Sequence, residues 1–362
     1  MIQGGAISWL EGARQAPSAH NTQPWRFREL EDGRIAVSWQ PERALPASDP
    51  TRRDLYLSLG TAIESAVLGA ATAHITLTFG TGPSNVEDLP ANVEHEQIVG
   101  YLQPVQAEVS EEDLLLARSL HTRHTARVPH LPQPVPASTL KGMQEEAQQR
   151  GSMLYVLTER HAIRKLAKLA RQATAEQFAD PAIQEELWHW LRLDPHDPAY
   201  RRDGLNAECM NLQGFSLAVA RFAMSPVRMR WLSHVGLHHL LALETEWTVR
   251  HSTSLCLLTT PSLARQDVIQ AGRTLLRLWL MADQAGLTTH PVSALIDSQS
   301  TVVPTLAVFG AQGAMPAAIF RLGVTQPVAR SHRLPREELV LEASRASEQE
   351  IGRDAQSKEK SG

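Results

Sequence analysis

Two helical stretches rich in small residues, Tyr56–Ala71 and Val268–Ala285, constrain this chain more than any other feature. In the first, Leu55, Leu59, Ile63 and Val67 recur at helical spacing, while Gly60, Ala62, Ala66 and Gly69 offer almost no side chain. That combination predicts a helix packed tightly on another backbone. Each stretch stands in the same local order of helix, loop, strand, small-residue helix and second strand. The order predicts an internal duplication, weak in letters and clearer in arrangement. A chain of 362 residues is long enough for two units of roughly 100–200 residues each.

The remaining pattern fills in the two series. Ala6–Gln15 predicts a helix with Ile7, Leu10 and Ala13 on one stripe, ended by Pro17. Trp25–Glu29 and Arg34–Trp39 predict strands around Glu31-Asp32-Gly33. Asp49, with Pro50 at the first helical position, predicts the cap of the small-residue helix. Strands are expected at His74–Phe79, Ile98–Val105, Met153–Leu157, Leu255–Thr259, Leu306–Gly310 and Ile319–Leu322, and helices at Glu111–His121 and Ser138–Arg150. Residues 160–247 predict mainly helix. From Ser344 the tail is charged and poor in apolar residues, which predicts disorder over 344–362.

Net charge is −4, so no global basic field invites nucleic acid or an anionic membrane. The two cysteines, Cys209 and Cys256, form no CxxC pair and fit a reducing compartment. The first fifteen residues lack the features of a signal peptide, and no apolar run reaches the ~18 residues of a membrane helix. A cytoplasmic location is expected.

Four segments carry chemistry. Pro17-Ser18-Ala19-His20-Asn21-Thr22-Gln23-Pro24-Trp25 sets hydrogen-bonding side chains between two prolines, after a helix and before a strand; taken alone it reads as a well-capped connector. In Arg123-His124-Thr125-Ala126-Arg127, an extended backbone points Arg123, Thr125 and Arg127 to one side, two guanidinium forks and a hydroxyl suited to a phosphate. Gly286 to Ala294 reads as a helix C-cap and an X-Pro turn. Ser331-His332-Arg333-Leu334-Pro335 closes the folded part. His234 and His238, four apart, have the spacing of a zinc-chelating pair on one helical face, but no His-Glu-x-x-His motif accompanies them, so no metal is expected.

Together these segments resemble the FMN-dependent nitroreductase family. The first resembles its P-S-x-x-N-x-Q-P-W signature. The second resembles its R-x-S-x-[RK] element, with Thr125 in place of serine. The third resembles its G-[LV]-x-x-x-P-[ILV]-x-[GA] segment, and the fourth its terminal [KR]-x-R-L-P element, with Ser331 at the first basic position. The phosphate-binding and signature elements sit in different halves, the pattern of the internally duplicated, single-chain (Acg-type) branch, which Trp188–Asp203 also resembles.

The resemblance implies an α+β nitroreductase-like fold of two fused pseudo-symmetric halves, each an antiparallel-rich sheet flanked by helices. It places a degenerate N-terminal half at 1–110, a C-terminal half at 111–343, and a helical lid at about 195–247 with Asn206, Cys209, Met210 and Asn211 facing substrate. One FMN per chain is implied, held by Pro17, Ser18, His20, Asn21, Gln23, Arg123, Thr125, Arg127, Pro291, Val292, Ser293, Ala294 and Arg333, with Arg330 or His332 compensating for Ser331. NAD(P)H would be the transient donor, and a small nitroaromatic, quinone or activated alkene the acceptor. His20 is a candidate proton donor. A protein that holds FMN with little turnover is the alternative. Either a monomeric pseudo-dimer or a homodimer is expected.

Overall fold

The computed structural model describes residues 5–81 and 97–341; the tail expected from Ser344 lies outside them. Helix α1 (Gly5–Arg14) leads to strands β1 (Trp25–Glu29) and β2 (Ile35–Trp39), then helix α2 (Arg53–Ala71) and strands β3 (Thr76–Gly80) and β4 (Gln97–Val105). Helices α3 (Glu111–Arg118) and α4 (Ala137–Gln149) precede β5 (Met153–Leu157). Next come α5 (Arg160–Ala179), α6 (Pro181–Trp190), the two-residue strands β6 (Leu191–Arg192) and β7 (Leu205–Asn206), and helices α7 (Gly214–Ala223), α8 (Pro226–Ser233) and α9 (Leu237–Arg250). Strand β8 (Ser254–Thr260), helix α10 (Arg265–Gln284), β9 (Thr288–Pro291), α11 (Ala294–Asp297), α12 (Val302–Phe309) and β10 (Met315–Gly323) complete the series.

Two four-stranded sheets result, ordered β1-β2-β4-β3 and β5-β8-β10-β9, with every pairing antiparallel. In each series two strands precede the small-residue helix and two follow it, so the two orders coincide position for position. The fold is α+β, and its duplication is visible in topology.

The two small-residue helices pack on each other. A Cβ built on Gly60 would lie 2.1 Å from the Ile269 carbonyl oxygen, and one on Gly272 would lie 2.3 Å from that of Leu57. Only glycine permits this approach. Beside the crossing, Glu64 is buried and binds Arg273 at 2.8 Å and Arg277 at 3.1 Å. Trp25, Phe27, Val37, Leu59, Ile63 and Leu102 fill the first core, each such side chain contributing about 1.5–3 kcal/mol. Leu334 and Leu339, from the far end of the chain, join that core, and the Leu341 amide donates to the Phe27 carbonyl at 2.8 Å.

Three local expectations are corrected. Leu306–Gly310 is not a strand but the end of α12, capped by Gly310 at φ 69°; a short apolar run does not by itself distinguish buried helix from buried strand. Thr288–Pro291, read as a cap and a turn, is the edge strand β9, where a proline at the end is tolerated. Helix α2 begins at Arg53 rather than at Pro50, and Asp49 still serves its first turn, its carboxylate accepting from the Leu55 amide at 2.9 Å.

Candidate functional site

The loop between α1 and β1 is wound tightly. His20, Asn21 and Gln23 have φ of 46°, 55° and 51°, a region non-glycine residues seldom occupy. Several bonds hold it there. The Ser18 hydroxyl accepts from the Gln23 amide at 2.9 Å. The Asn21 amide donates to the carbonyls of Gly204 and His332, both at 3.0 Å, and its oxygen accepts from Arg333 at 2.9 Å. Gln23 donates to the Arg202 carbonyl at 3.0 Å and accepts from the Leu334 amide at 2.9 Å. Segments more than 170 residues away in sequence therefore fix this loop.

Against it lies the Arg123–Arg127 segment, whose Thr125 bridges Thr289 of β9. Gln15, Pro17, Ser18, Asn21, Arg123, His124, Thr125, Arg127, Arg330, Ser331 and Arg333 enclose a polar cavity of about 110 Å³. Among the described residues none of its four arginines has an ion-pairing carboxylate within 4.0 Å. Arg123 is buried with Nη1 unpartnered, and the buried Nε of Arg333 is likewise unpartnered. Burial, with Asp283 opposing and Arg330 reinforcing, lowers Arg123 to about 10. Burial and the neighbouring Arg123 and Arg330 lower Arg333 to about 9. Uncompensated buried cations are costly, so the cup is built to receive an anion.

Pro17, Ser18, Thr125 and Arg127 also belong to the wall of a second cavity of about 330 Å³. Leu57 and Thr61 of α2, Leu275 and Trp279 of α10, His290 and Pro291 of β9, and Ala317–Ile319 of β10 line it, and His20 faces into it. Burial lowers His20 and, more strongly, His290, which favours the neutral imidazole in both. The two cavities adjoin across these shared residues, the smaller one cationic and the larger one mainly apolar.

Of the residues expected at a cofactor site, Pro17, Ser18, His20, Asn21, Arg123, Thr125, Arg127, Pro291, Ser293, Arg330 and Arg333 line one or both cavities. Gln23, Val292, Ala294 and His332 do not. Gln23 is a brace, Val292 is buried in the core under α11, and His332 contributes its carbonyl to Asn21. Ser331 is part of the cup. The expected lid is also corrected. From 195–247 only Leu205 reaches the apolar cavity, while Gln177, Phe178, Ile183 and Leu187 of α5 and α6 cover it. Asn206, Cys209, Met210 and Asn211 are absent from that wall. Glu186 of α6 latches this cover, accepting from the Ala47 and Ser48 amides at 2.8 and 3.0 Å. His234 and His238 do not share a helical face: Gly236, at φ 93°, ends one helix before the next begins.

Sequence reasoning missed Arg53, Asp54, Asp297, His290 and Trp279 in the apolar wall. A signal for the first two was present, because Arg53-Asp54 opens a helix with no other charge before Glu64.

No protein-family model matches the chain. It is similar to Rv3131 of Mycobacterium tuberculosis, provisionally named an NAD(P)H nitroreductase, at 29% identity over 49% of this chain and 48% of that protein, so the match spans about half its relative's length. It is similar to PigM of Serratia, also provisionally named an NAD(P)H nitroreductase, at 24% identity over 78% of each chain. Among solved structures, the FMN-dependent nitroreductase NfnB from Mycobacterium smegmatis in complex with NADPH overlaps 59% of this chain and 88% of its own at 17% identity and a TM-score of 0.36.

Proposed function

We propose, from the similarity to proteins named NAD(P)H nitroreductases, that this chain binds one FMN and is an NAD(P)H-dependent oxidoreductase. The observation that carries the reading is the site itself: four arginines that pair with no carboxylate among the described residues meet the Ser18–Asn21 turn, and an apolar chamber adjoins them. Arg123, Arg127, Arg330 and Arg333, with Thr125 and Ser331, would hold the phosphate. Pro17, Ser18, His20 and Asn21, with Pro291 and Ser293, would hold the rest. Unpartnered buried Nη1 of Arg123 and Nε of Arg333 support the fit. Bound there, FMN supplies two-electron hydride chemistry between NAD(P)H and a small quinone, nitroaromatic or activated alkene. The chain's own residues neutralise the phosphate charge, and Phe178, Ile183 and Leu187 keep water from the chamber. An N-terminal half over 1–110 and a C-terminal half over 111–343 would then share one site in a cytoplasmic monomer or homodimer.

An FMN-holding protein with little turnover is the second reading, favoured by the Glu186 latch that holds α6 over the cavity. One experiment tests both. Purified protein should be yellow with one FMN per chain, and Arg123→Ala with Arg127→Ala should be colourless, each charged hydrogen bond contributing roughly 1.5–3 kcal/mol. Stoichiometric FMN in the double variant would refute the phosphate assignment. Bleaching by NADH or NADPH, with the electrons passed to a quinone, selects the reductase; yellow protein that neither cofactor bleaches selects the holding protein.

A further inference from the structure

The apolar chamber carries charge at one place that the cofactor reading leaves unused. Helix α2 opens with Arg53 and Asp54, and α11 ends at Asp297. A single guanidinium nitrogen, Nη2 of Arg53, donates to Asp54 at 2.7 Å and to Asp297 at 2.5 Å. All three side chains line the chamber, together with His20, Ser48, Ser58 and His290. Asp49 stands behind them, held by the Leu55 amide. The charged groups facing Asp297 are thus Arg53 and Asp54 of α2 and Asp49 of the preceding loop. Arg127 and the two histidines stand around the same chamber, and Glu176 of α5 binds the neighbouring Ser298 hydroxyl. Two carboxylates share one guanidinium at the edge of a largely apolar space, with the Asp49 carboxylate close behind, so full ionisation of all three is disfavoured.

We propose that Asp297 is the proton donor to the acceptor, a quinone, in the oxidoreductase reaction, with Arg53 holding the carboxylate that remains; the proposal rests on the reductase reading above. Reducing a quinone to its hydroquinone takes up one hydride and one proton. The hydride comes from NAD(P)H through the flavin. As negative charge develops on the quinone oxygen, the carboxyl O–H bond of Asp297 breaks and an O–H bond forms on that oxygen. Once the hydroquinone leaves and the chamber opens, the Asp297 carboxylate regains a proton from bulk solvent. Asp297 is suited to this at neutral pH: burial raises it, Arg53 opposes, and Asp54 and Asp49 push it up again, to about 7. A donor whose pKa lies near the working pH is the efficient kind.

The test compares Asp297→Asn with the parent protein, using NAD(P)H with either a benzoquinone or ferricyanide, which takes electrons without a proton. The ratio of quinone to ferricyanide turnover should fall at least about tenfold, since general acids contribute roughly 100-fold or more. An unchanged ratio, or equal losses with both acceptors, overturns the donor role. A second readout needs no turnover: the infrared C=O band of a protonated carboxyl should titrate with a midpoint near pH 7 in the parent and vanish in Asp297→Asn. In Asp54→Asn that midpoint and the alkaline limb of the quinone rate should both move to lower pH, because a like charge is removed; if neither moves, the proposal fails. Parent protein that is yellow yet passes electrons to neither acceptor overturns the reductase reading, and the donor role falls with it.

Discussion

Replacing Gly60 by alanine tests whether the helix crossing, rather than helix propensity, governs stability at the centre of the fold. Elsewhere the substitution favours a helix by about 1 kcal/mol. Here the new Cβ would meet the Ile269 carbonyl oxygen at 2.1 Å, the Gly272 Cα at 2.8 Å and the Arg273 amide at 2.9 Å. All three are backbone atoms, so no side-chain rotation relieves them. Restoring ordinary contact, from 2.1 Å to 3.4 Å or more, requires one helix to move by at least about 1.3 Å. Forced overpacking of this kind costs about 3 kcal/mol, so the net loss is about 2 kcal/mol. With a urea slope of about 3 kcal/mol/M the midpoint falls by ~0.7 M. Gly142→Ala is the matched control. It also lies within a helix, and its nearest neighbour would be the Met281 methyl at 3.7 Å. That variant should gain about 0.5–1 kcal/mol. Urea titrations of both variants decide the matter: a midpoint for Gly60→Ala at or above that of the parent would refute the close-crossing argument. Leu57 and Thr61 of one helix and Leu275 and Trp279 of the other line the chamber, so Gly60→Ala should also weaken FMN retention.

Two further outcomes follow from buried groups. Burial alone would raise Glu64, but Arg273, Arg150 and Arg277 outweigh it and hold the carboxyl below its ordinary 4.5. Its stabilisation is therefore fully present above about pH 4.5 and is lost as pH falls toward the depressed folded value. Glu64→Gln should cost about 3 kcal/mol at pH 7, and the gap to the parent should narrow as the pH falls below the ordinary 4.5 in urea titrations. Cys256 is fully buried in β8, and burial pushes its thiol well up, so iodoacetamide should leave it unmodified in the native protein and label it in denaturant, as read by mass spectrometry.

The sequence by itself determined the local grammar of this protein. Small residues at helical spacing marked α2 as a helix packed on another backbone and α10 as its counterpart, alternation marked β1 and β2, and the proline-bounded Pro17–Pro24 string and the Arg123–Arg127 run marked the site, because each depends on neighbours within a few residues. Only the tertiary structure decided the rest. Whether Leu306–Gly310 was helix or strand depended on what covered it. Gln23 became a brace because Arg202 comes to it from the middle of the chain and Leu334 from its far end. The cover over the chamber proved to be α5 and α6 rather than 195–247 because Glu186 found the Ala47 and Ser48 amides. Asp297 acquired its character from burial and from Asp54, against the pull of Arg53, 244 residues away. Such properties arise from burial and from through-space charge, which a linear pattern does not encode.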